Sequence, residues 1–331
     1  MSRIAIDAMG GDHAPEQIVH GAVDAAANGV ELILVGDSAR LTPLLAEAGA
    51  VIPIAHASQV IEMGDDPAVA IREKKDASII VAARLVAEGE AGGLVSAGST
   101  GAALAAAAFV IGRLPGVSRP AIASLFPTGK IVLDAGANVN CRPEHLVQFA
   151  VMGAALAQVH FYVDPPRVGL VNIGEEAGKG RDLDKEAHQL LSELPGITFV
   201  GNVEGNDLAT DTADVFVTDG FTGNVLLKTA EGAAQMVLTL LNRALFRPEL
   251  RDPVEQLLPA FGEFRETLDP EGVGGAHLLG TKGVVVVSHG SSSRVAIRNA
   301  IGLAAEGVDD GLVAKIAAGL ETVAESETDD G

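Results

Sequence analysis

Residues capable of chemistry cluster where short apolar runs end in glycine together with aspartate, asparagine or serine. The first example is the stretch Asp7–Asp12, which follows an Ile-Ala-Ile run and contains two adjacent glycines. Glycine lets the backbone approach a ligand closely, and the helix N-termini that follow supply oriented N–H groups, a combination that favours phosphate. Because the pattern recurs, we predict one composite site built from the strand ends Asp7–Asp12, Ser96–Gly101, Asp134–Asn138, Asn172–Glu176, Asp219–Asn224 and Ser288–Ser292.

These polar residues also have structural interpretations. Ser99 or Thr100 can cap a helix, and an aspartate at a strand end commonly caps a turn through its own backbone. Lys179 lies between two glycines, where it is either a solvated lysine on a loop or a cation over the site. His289 comes just after a run of four valines, and it is either a structural or a catalytic histidine. The residues alone leave these alternatives open.

Several strong catalytic motifs are missing. The dinucleotide fingerprint G-x-G-x-x-G starts at Gly178 and fails at Leu183, and the spacing of a P-loop is not met. The sequence contains neither H-E-x-x-H nor a Cys/His cluster, and no G-x-S-x-G elbow occurs. Cys141 is interpreted as a small buried hydrophobe. We therefore expect no metal, no cofactor and a reaction that needs no strong nucleophilic side chain.

The elements that must position these residues alternate between strands and helices. Most strand candidates are continuous apolar runs, as expected when helices cover both faces of a sheet. The pattern predicts a three-layer α/β/α sandwich with a mostly parallel, doubly wound sheet. The predicted strands are Ile4–Asp7, Leu32–Val35, Val51–Ile54, Leu94–Ser96, Ala121–Leu125, Ile131–Asp134, Val168–Asn172, Thr198–Val200, Asp214–Thr218 and Val284–Ser288. The predicted helices are Pro15–Asn28, Ala39–Ala48, Pro67–Glu88, Thr100–Gly112, Pro143–Val159, Leu183–Glu193, Asn224–Leu245 and Arg294–Ala305.

Composition narrows the class of protein further. A formal net charge of −21 argues against binding to nucleic acid, which needs a basic surface. The single cysteine excludes an internal disulfide and fits a reducing compartment. No signal peptide is visible, and the longest apolar run, Ala102–Ile111, is far below the ~20 residues of a spanning helix. We therefore expect a soluble cytoplasmic protein.

The chain is interpreted as one domain over residues 1–331. Length alone would allow two average domains, but no linker stands out. The composition shifts only at Phe246–Gly275, where four prolines interrupt amphipathic pieces. We interpret this segment as part of a helical projection at about 225–275.

Several long motifs, found in the right order, resemble the PlsX family, the acyl-ACP:phosphate acyltransferases of bacterial phospholipid synthesis. The resemblance runs from the first predicted strand to His289-Gly290-Ser291 and beyond, so it covers nearly the whole chain. The segments that carry it are Ile4–Asp12, Ser96–Ala102, Leu133–Ala150, Val168–Glu176, Gly201–Gly205 and Val217–Gly232.

The resemblance implies that inorganic phosphate attacks the thioester of a long-chain acyl group on acyl carrier protein, giving acyl phosphate and free carrier. It also implies a fold like that of isocitrate and isopropylmalate dehydrogenases and phosphate acetyltransferases. The expected partners are acyl carrier protein, a second copy in a homodimer and a glycerol-3-phosphate acyltransferase that uses the product, with weak peripheral membrane association. Since phosphate is the nucleophile, catalysis can rest on positioning and on oxyanion stabilisation.

By the same resemblance, the catalytic candidates are Lys179 and Asn224, with His289 as a third. The loops Ser96–Gly101 and Gly10-Gly11 would cradle phosphate, and several strand-end aspartates, together with Asn138, would hold the loops in place. The full set of predicted substrate-binding residues is Asp7, Gly10, Gly11, Asp12, Ser96, Gly98, Ser99, Thr100, Gly101, Asp134, Asn138, Asn172, Gly174, Glu175, Asp219, Gly223, Gly290 and Ser291.

Three other functions are compatible with the sequence: a phosphate acetyl- or butyryltransferase acting on acyl-CoA, a metal-dependent hydroxyacid dehydrogenase of the related fold, and a catalytically inactive scaffold. The family pattern usually has Asn in place of Ser99 and an aromatic residue in place of Val273. An acidic enzyme must bind the acidic carrier through a local basic patch, because salt screens charges beyond ~8 Å. The candidates, which are equally well interpreted as solvated faces, are Arg72-Glu73-Lys74-Lys75 and the set Arg243, Arg247 and Arg251.

Overall fold

The computed structural model describes residues 3–126, 128–245, 262 and 270–329. These residues form one mixed, mostly parallel sheet with helices on both faces, which confirms the predicted α/β sandwich. The strands are β1 Ile4–Asp7, β2 Leu32–Gly36, β3 Ile54–His56, β4 Gly93–Ser96, β5 Ala121–Phe126, β6 Lys130–Leu133, β7 Arg167–Val171, β8 Thr198–Val203, β9 Val215–Val217, β10 Ala276–Leu279 and β11 Val284–Val287.

The helices fill the long connections between parallel strands, as a parallel crossover requires. They are α1 Glu16–Ala27, α2 Ser38–Glu47, α3 Pro67–Glu73, α4 Ser78–Ala87, α5 Thr100–Ala106, α6 Pro143–His160, α7 Asp182–Glu193, α8 Gly220–Leu245, α9 Pro270–Val273, α10 Arg294–Asp309 and α11 Leu312–Asp329. A π-helical turn, Ala107–Ile111, continues α5, and a short 3₁₀ helix covers Gly205–Ala209.

The strand order across the sheet is β3-β2-β1-β4-β11-β10-β5-β6-β9-β7-β8. Strands β1, β2, β4 and β11 pair in parallel. The next three pairings, β11 with β10, β10 with β5 and β5 with β6, are antiparallel. After these three reversals, β6 runs opposite to β1, and β9 and β7 follow β6 in parallel. The carboxyl ends of β1, β4 and β11 therefore leave the strand ladder in the direction opposite to those of β6, β7 and β9.

The core is aliphatic on both faces of the sheet, as the composition predicts. Successive side chains of a strand point to opposite faces; in β1, Ile4 and Ile6 accordingly join one buried cluster and Ala5 joins the other. Phe149 on α6 and Phe216 on β9 are the largest fully buried side chains. Strands buried on both faces give the polar loops at their ends a fixed platform.

Some element boundaries differ from the prediction. The single helix predicted over Pro67–Glu88 is wrong, because the backbone leaves the helix at Lys74, where ψ is 60°, and the chain resumes as α4. Strand β3 lies three residues beyond the predicted start, since Val51 is 99% exposed and contributes nothing to the sheet. Strand β10 and helix α11 were not predicted.

Helix α8 begins inside the body of the protein and then leaves it. Its two buried residues are Gly220 and Gly223, both in the first turn. Further along, apolar side chains such as Met236 and Leu240 are more than half exposed. The remainder of the predicted projection, 246–261 and 263–269, lies outside the described residues.

Candidate functional site

The predicted site residues fall into two sets, each bonded within itself. The first loop group consists of residues 7–12, 96–101 and 288–291, at the carboxyl ends of β1, β4 and β11. The second loop group consists of residues 134–138, 172–181 and 219–224, which follow β6, β7 and β9. Among the residues that the structure describes, no hydrogen bond or ion pair joins the two groups.

In the first loop group, a buried aspartate holds the loops together. The Ser96 hydroxyl donates to Asp7 Oδ2 at 2.7 Å and accepts from the Gly98 backbone at 3.1 Å. Burial raises the pKa of the Asp7 carboxyl, although hydrogen bonds from Ser78 and Ser96 act in the opposite direction. Gly10 is required here because a Cβ atom would lie 2.5 Å from Asp7 Oδ2 and 2.9 Å from the Gly98 nitrogen. The loops are closely packed around a carboxyl group.

The exposed part of this group carries hydroxyls and an imidazole. Ser99 caps α5 by accepting from the Ala102 backbone at 3.5 Å. His289 is exposed, and its Nδ1 lies 2.7 Å from the Ser291 hydroxyl. The Asp12 backbone donates to Gly290 at 2.8 Å, which joins the β1 loop to the β11 loop. The predicted residues placed here are Asp7, Gly10, Gly11, Asp12, Ser96, Gly98, Ser99, Thr100, Gly101, His289, Gly290 and Ser291.

In the second loop group, Asp134 organises the turn after β6. It is fully buried, and its Oδ1 accepts from the backbones of Ile122, Gly136 and Ala137 at 3.0–3.1 Å. Its Oδ2 accepts two bonds from Asn138, at 2.7 Å from the backbone and 2.9 Å from the side chain. Five donors occupy this carboxylate, which therefore acts as the centre of the loop.

The loop after β7 carries Lys179. Its ammonium is half exposed and lies 3.8 Å from Glu176, while the Asn172 amide donates to the Lys179 carbonyl at 3.2 Å. Gly180 has φ +88°, and a Cβ atom there would lie 2.5 Å from Asn172 Oδ1 and 2.7 Å from Asp184 Oδ2. The backbone on either side of Lys179 is thus fixed, whereas its charged end faces solvent.

The loop after β9 opens α8 and carries Asn224. Asp219 is 2% exposed and accepts from the Thr222 backbone and hydroxyl at 2.9 and 3.0 Å. Burial acts to raise the pKa of Asp219, but hydrogen bonds from Thr222 and Arg181 bring it below its usual value. Asn224 is exposed, and its Nδ2 donates to the Ala135 carbonyl at 3.2 Å. This bond places the carboxamide beside the loop that Asp134 organises.

Arg181 belongs to this group and was not predicted. Its guanidinium donates to Asp184 at 2.8 Å and to Asp219 at 2.6 Å. The only signal in the sequence is a second cation two residues after Lys179. The predicted residues that lie in the second loop group are Asp134, Asn138, Asn172, Gly174, Glu175, Lys179, Asp219, Gly223 and Asn224.

Cys141 lies next to this group but is a poor nucleophile. Burial, with a contribution from Asp134, raises the pKa of its thiol to about 11, and the thiolate is the reactive form. Among the described residues, no three His, Cys, Asp or Glu side chains are grouped so as to hold a metal ion. In the second loop group, the exposed side chains of Lys179 and Asn224 end in an ammonium and a carboxamide, both of which can donate hydrogen bonds.

Comparisons with known proteins show which family has this three-layer α/β fold and these polar loops at the strand ends. The family model described as "Fatty acid synthesis protein" matches residues 2–315. A phosphate acyltransferase from Desulforamulus reducens is 50% identical over 327 residues, which cover 97% of this chain and 98% of that protein. A phosphate acyltransferase from Pelotomaculum thermopropionicum is 47% identical over 328 residues, covering 97% and 96%.

The chain belongs to this family, which is the PlsX family that its motifs resemble, and it is an acyltransferase. Solved structures agree on the fold. A phosphotransacetylase from Streptococcus pyogenes superposes with a TM-score of 0.64 at 20% identity, covering 93% of this chain and 94% of that chain. A branched-chain phosphotransacylase from Enterococcus faecalis gives 0.57 at 18% identity, covering 93% and 99%.

Proposed function

We propose that this protein transfers a long-chain fatty acyl group from acyl carrier protein to inorganic phosphate, giving acyl phosphate for phospholipid synthesis. The observation that carries the proposal is the second loop group, where Lys179 and Asn224 present exposed donors from loops whose backbones are fixed. Family membership over nearly the whole chain supports the same reaction class.

The proposed reaction needs no nucleophile from the protein. A phosphate oxygen forms a bond to the thioester carbonyl carbon, and the carbonyl oxygen becomes an oxyanion. The carbon–sulfur bond breaks when the carbonyl re-forms, and the carrier thiolate leaves. Since a free thiol has a pKa of about 8.5, departure requires no strong acid. The thiolate then takes a proton from solvent.

Lys179 and Asn224 have complementary roles in this mechanism. The ammonium of Lys179 attracts phosphate and offsets its charge as it approaches the carbonyl. The Asn224 carboxamide donates to the oxyanion, where a fixed donor acts without reorganising. The first loop group is proposed to cradle phosphate with backbone N–H groups, and His289 is proposed as a third catalytic group.

The donor is tested by measuring acyl phosphate, trapped with hydroxylamine, from palmitoyl acyl carrier protein and from acetyl-CoA or butyryl-CoA in parallel. We expect phosphate-dependent product from the carrier thioester at a rate well above that from either CoA ester. Faster reaction with the CoA esters would replace this proposal by phosphate acetyl- or butyryl transfer. No product from any donor would point to a scaffold.

We also propose a homodimer, weak peripheral membrane association and a glycerol-3-phosphate acyltransferase as the downstream user of acyl phosphate. The exposed apolar side chains of α8, among them Phe221 and Val225 in its first two turns, support an apolar partner surface. Sedimentation velocity should give one species at twice the mass of the chain; a monomer at all concentrations would remove the homodimer. Among the described residues, no helix is long and apolar enough to cross a membrane.

In the basic patch around Arg72–Lys75 that is proposed to bind acyl carrier protein, one lysine is already paired within the protein. Lys74 donates to the Val60 carbonyl at 2.9 Å and pairs with Asp65, so its charge is already used within the protein. Arg72, Lys75 and Arg243 are exposed, whereas Arg247 and Arg251 lie outside the described residues. Replacing Lys75 by Glu should weaken carrier binding at low salt, and an unchanged titration would exclude this patch.

A further inference from the structure

Arg181 connects the two loops that carry the proposed catalytic groups. Its Nη2 donates to Asp184 Oδ1 at 2.8 Å and to Asp219 Oδ2 at 2.6 Å, and its Nε donates to Asp184 Oδ2 at 3.0 Å. Asp184 lies in the first turn of α7, and Asp219 immediately precedes α8. Arg181 therefore bonds to carboxylates at the beginnings of two different helices.

This contact is the link between the loop after β7 and the loop after β9. In the described part of the chain, no other hydrogen bond or ion pair joins residues 172–181 to residues 219–224. Each loop is otherwise tied to a different neighbour. Asn202 on β8 donates to Glu176 at 2.8 Å, and Gly220 donates to Asn138 after β6 at 2.8 Å.

Lys179 and Asn224 lie close to this link along the chain. Lys179 precedes Arg181 by two residues, and Gly180 between them is packed against Asn172 and Asp184. Asn224 follows Asp219 by five residues, in the second turn of α8. A planar guanidinium that bonds two carboxylates restrains both partners more than a single ion pair does. Arg181 thus joins the two segments that carry the ammonium and the carboxamide.

The charges around Arg181 make the link strong. The side chains of Asp184 and Asp219 are 7% and 2% exposed, while that of Arg181 is 54% exposed. A buried carboxylate that loses its cation is left without compensation, which is far more unfavourable than the loss of a surface pair. Without Arg181, Asp219 keeps only the donors of Thr222, and we expect the first turn of α8 to shift.

We propose that Arg181 is a positioning residue for acyl transfer, which sets the geometry of Lys179 relative to Asn224 by bridging Asp184 and Asp219. The inference rests on the proposed function, because it concerns the same two catalytic groups. Arg181 acts through these groups and is given no contact with substrate.

The protein contains a matched control at the other end of the same strands. Arg167 begins β7 and bonds through Nη2 and Nε to Asp214, just before β9, at 2.8 and 3.1 Å. Asp214 is 6% exposed, and hydrogen bonds from Arg167 hold its pKa below the usual value although burial acts to raise it. This second arginine also links the β7 and β9 segments by a partly buried bidentate pair, but no proposed catalytic residue is close to it in the chain.

The experiment compares four purified full-length variants: Arg181→Met, Arg181→Lys, Arg167→Met and Lys179→Met. Folding is checked by circular dichroism and thermal unfolding, and kcat and KM are measured with palmitoyl acyl carrier protein and phosphate well below each Tm. A misplaced reacting group can reduce rates about 10²-fold. We expect Arg181→Met to lower kcat about 10- to 100-fold with KM for the carrier within about threefold. Arg181→Lys should recover part of that loss, since an ammonium can pair with one carboxylate.

Arg167→Met should lower Tm while kcat stays within about twofold of the wild type. Unchanged kcat in Arg181→Met beside an inactive Lys179→Met would overturn the positioning role and leave the proposed function standing. Equal kcat losses in Arg167→Met and Arg181→Met would also overturn it, because the effect would then be general destabilisation. Full activity of Lys179→Met would remove the proposed site and the inference with it. If Arg181→Met does not fold, an Arg181→Lys variant with normal Tm and normal kcat overturns the inference alone.

Discussion

The two loop groups look alike in sequence, yet they differ in charge. Both consist of glycine, aspartate and hydroxyl or amide residues at strand ends. In the first loop group, burial raises the pKa of Asp7, whose carboxyl accepts from Ser96 at 2.7 Å. In the second loop group, Arg181 and Thr222 hold the pKa of Asp219 below its usual value, and the ammonium of Lys179 is half exposed.

This difference shows what the aspartates do in each group. A carboxyl whose pKa is raised is closer to neutral and holds loops without a counter-charge. A carboxylate that is fully bonded and paired with arginine stays ionised and anchors a cation. The second loop group therefore combines an Asp219 carboxylate paired with Arg181 with the exposed donors of Lys179 and Asn224, and these donors are the groups proposed to meet phosphate and the oxyanion. The phosphate cradle of the first loop group stays a prediction.

The largest expected effect is on catalysis by the second loop group. Lys179→Met removes the ammonium proposed to attract phosphate but keeps much of the side-chain length, and we expect kcat to fall about 10²–10³-fold, as large as the loss of one preorganised donor in an active site. Steady-state acyl phosphate formation measures it. The control is Lys185→Met, which removes an exposed lysine of α7 that pairs with Asp182 at 3.8 Å. A comparable loss of kcat in Lys179→Met and Lys185→Met would mean that net charge causes the effect. The second loop group would then have no special role in catalysis.

A smaller effect is expected on the free energy of unfolding, to which Asp134 and Asp7 should contribute differently. In Asp134→Asn, an NH₂ group replaces an oxygen that now accepts at least two bonds, so at least two donors lose their acceptor. We expect the free energy of unfolding to fall by roughly 2–4 kcal/mol. In Asp7→Asn, the amide oxygen can still accept from Ser96, the long 3.4 Å bond from the Met9 backbone to the other oxygen is lost, and a buried acid is removed. Its free energy of unfolding should change by about 1 kcal/mol or less. Urea unfolding at pH 7 measures both.

The sign of the pH dependence provides a second check on this pair. A raised folded pKa means that the native Asp7 binds protons more readily than the unfolded chain, so Asp7 costs stability above its folded pKa and the cost disappears on acidification. The free energy of unfolding of Asp7→Asn should therefore increase relative to that of the wild type as pH rises from 4 to 7. Equal losses of unfolding free energy in Asp7→Asn and Asp134→Asn at pH 7 would mean that the two carboxyl groups stabilise the protein to the same extent.

The sequence predicts the layers, most strands and the polar strand ends, because these depend on local apolar patterning and on glycine. It also contained a signal for strand direction. Predicted strands Ala121–Leu125 and Ile131–Asp134 are separated by five residues, too few for a parallel crossover, which needs a dozen or more. They pair as an antiparallel hairpin in the structure. Strands β9 and β7 are parallel to β6 and therefore run in its direction.

Other features of the structure could not be predicted from local patterns in the sequence. Strand β10 has four residues with a histidine in its interior, and it directly follows the proline-rich segment, so its pattern is weak. The bridge from Arg181 to Asp219 joins residues 38 positions apart. Nothing in the sequence specifies which of many aspartates an arginine meets, because that depends on the order of β9 and β7 in the sheet.

The central claim is that the second loop group acts on the reacting phosphate and thioester. A crystal structure of the protein with bound phosphate tests it most directly. The account predicts a phosphate oxygen within about 3.5 Å of Lys179 Nζ, with Asn224 facing the same space. Phosphate bound at full occupancy without any contact to residues 172–181 or 219–224 would contradict it.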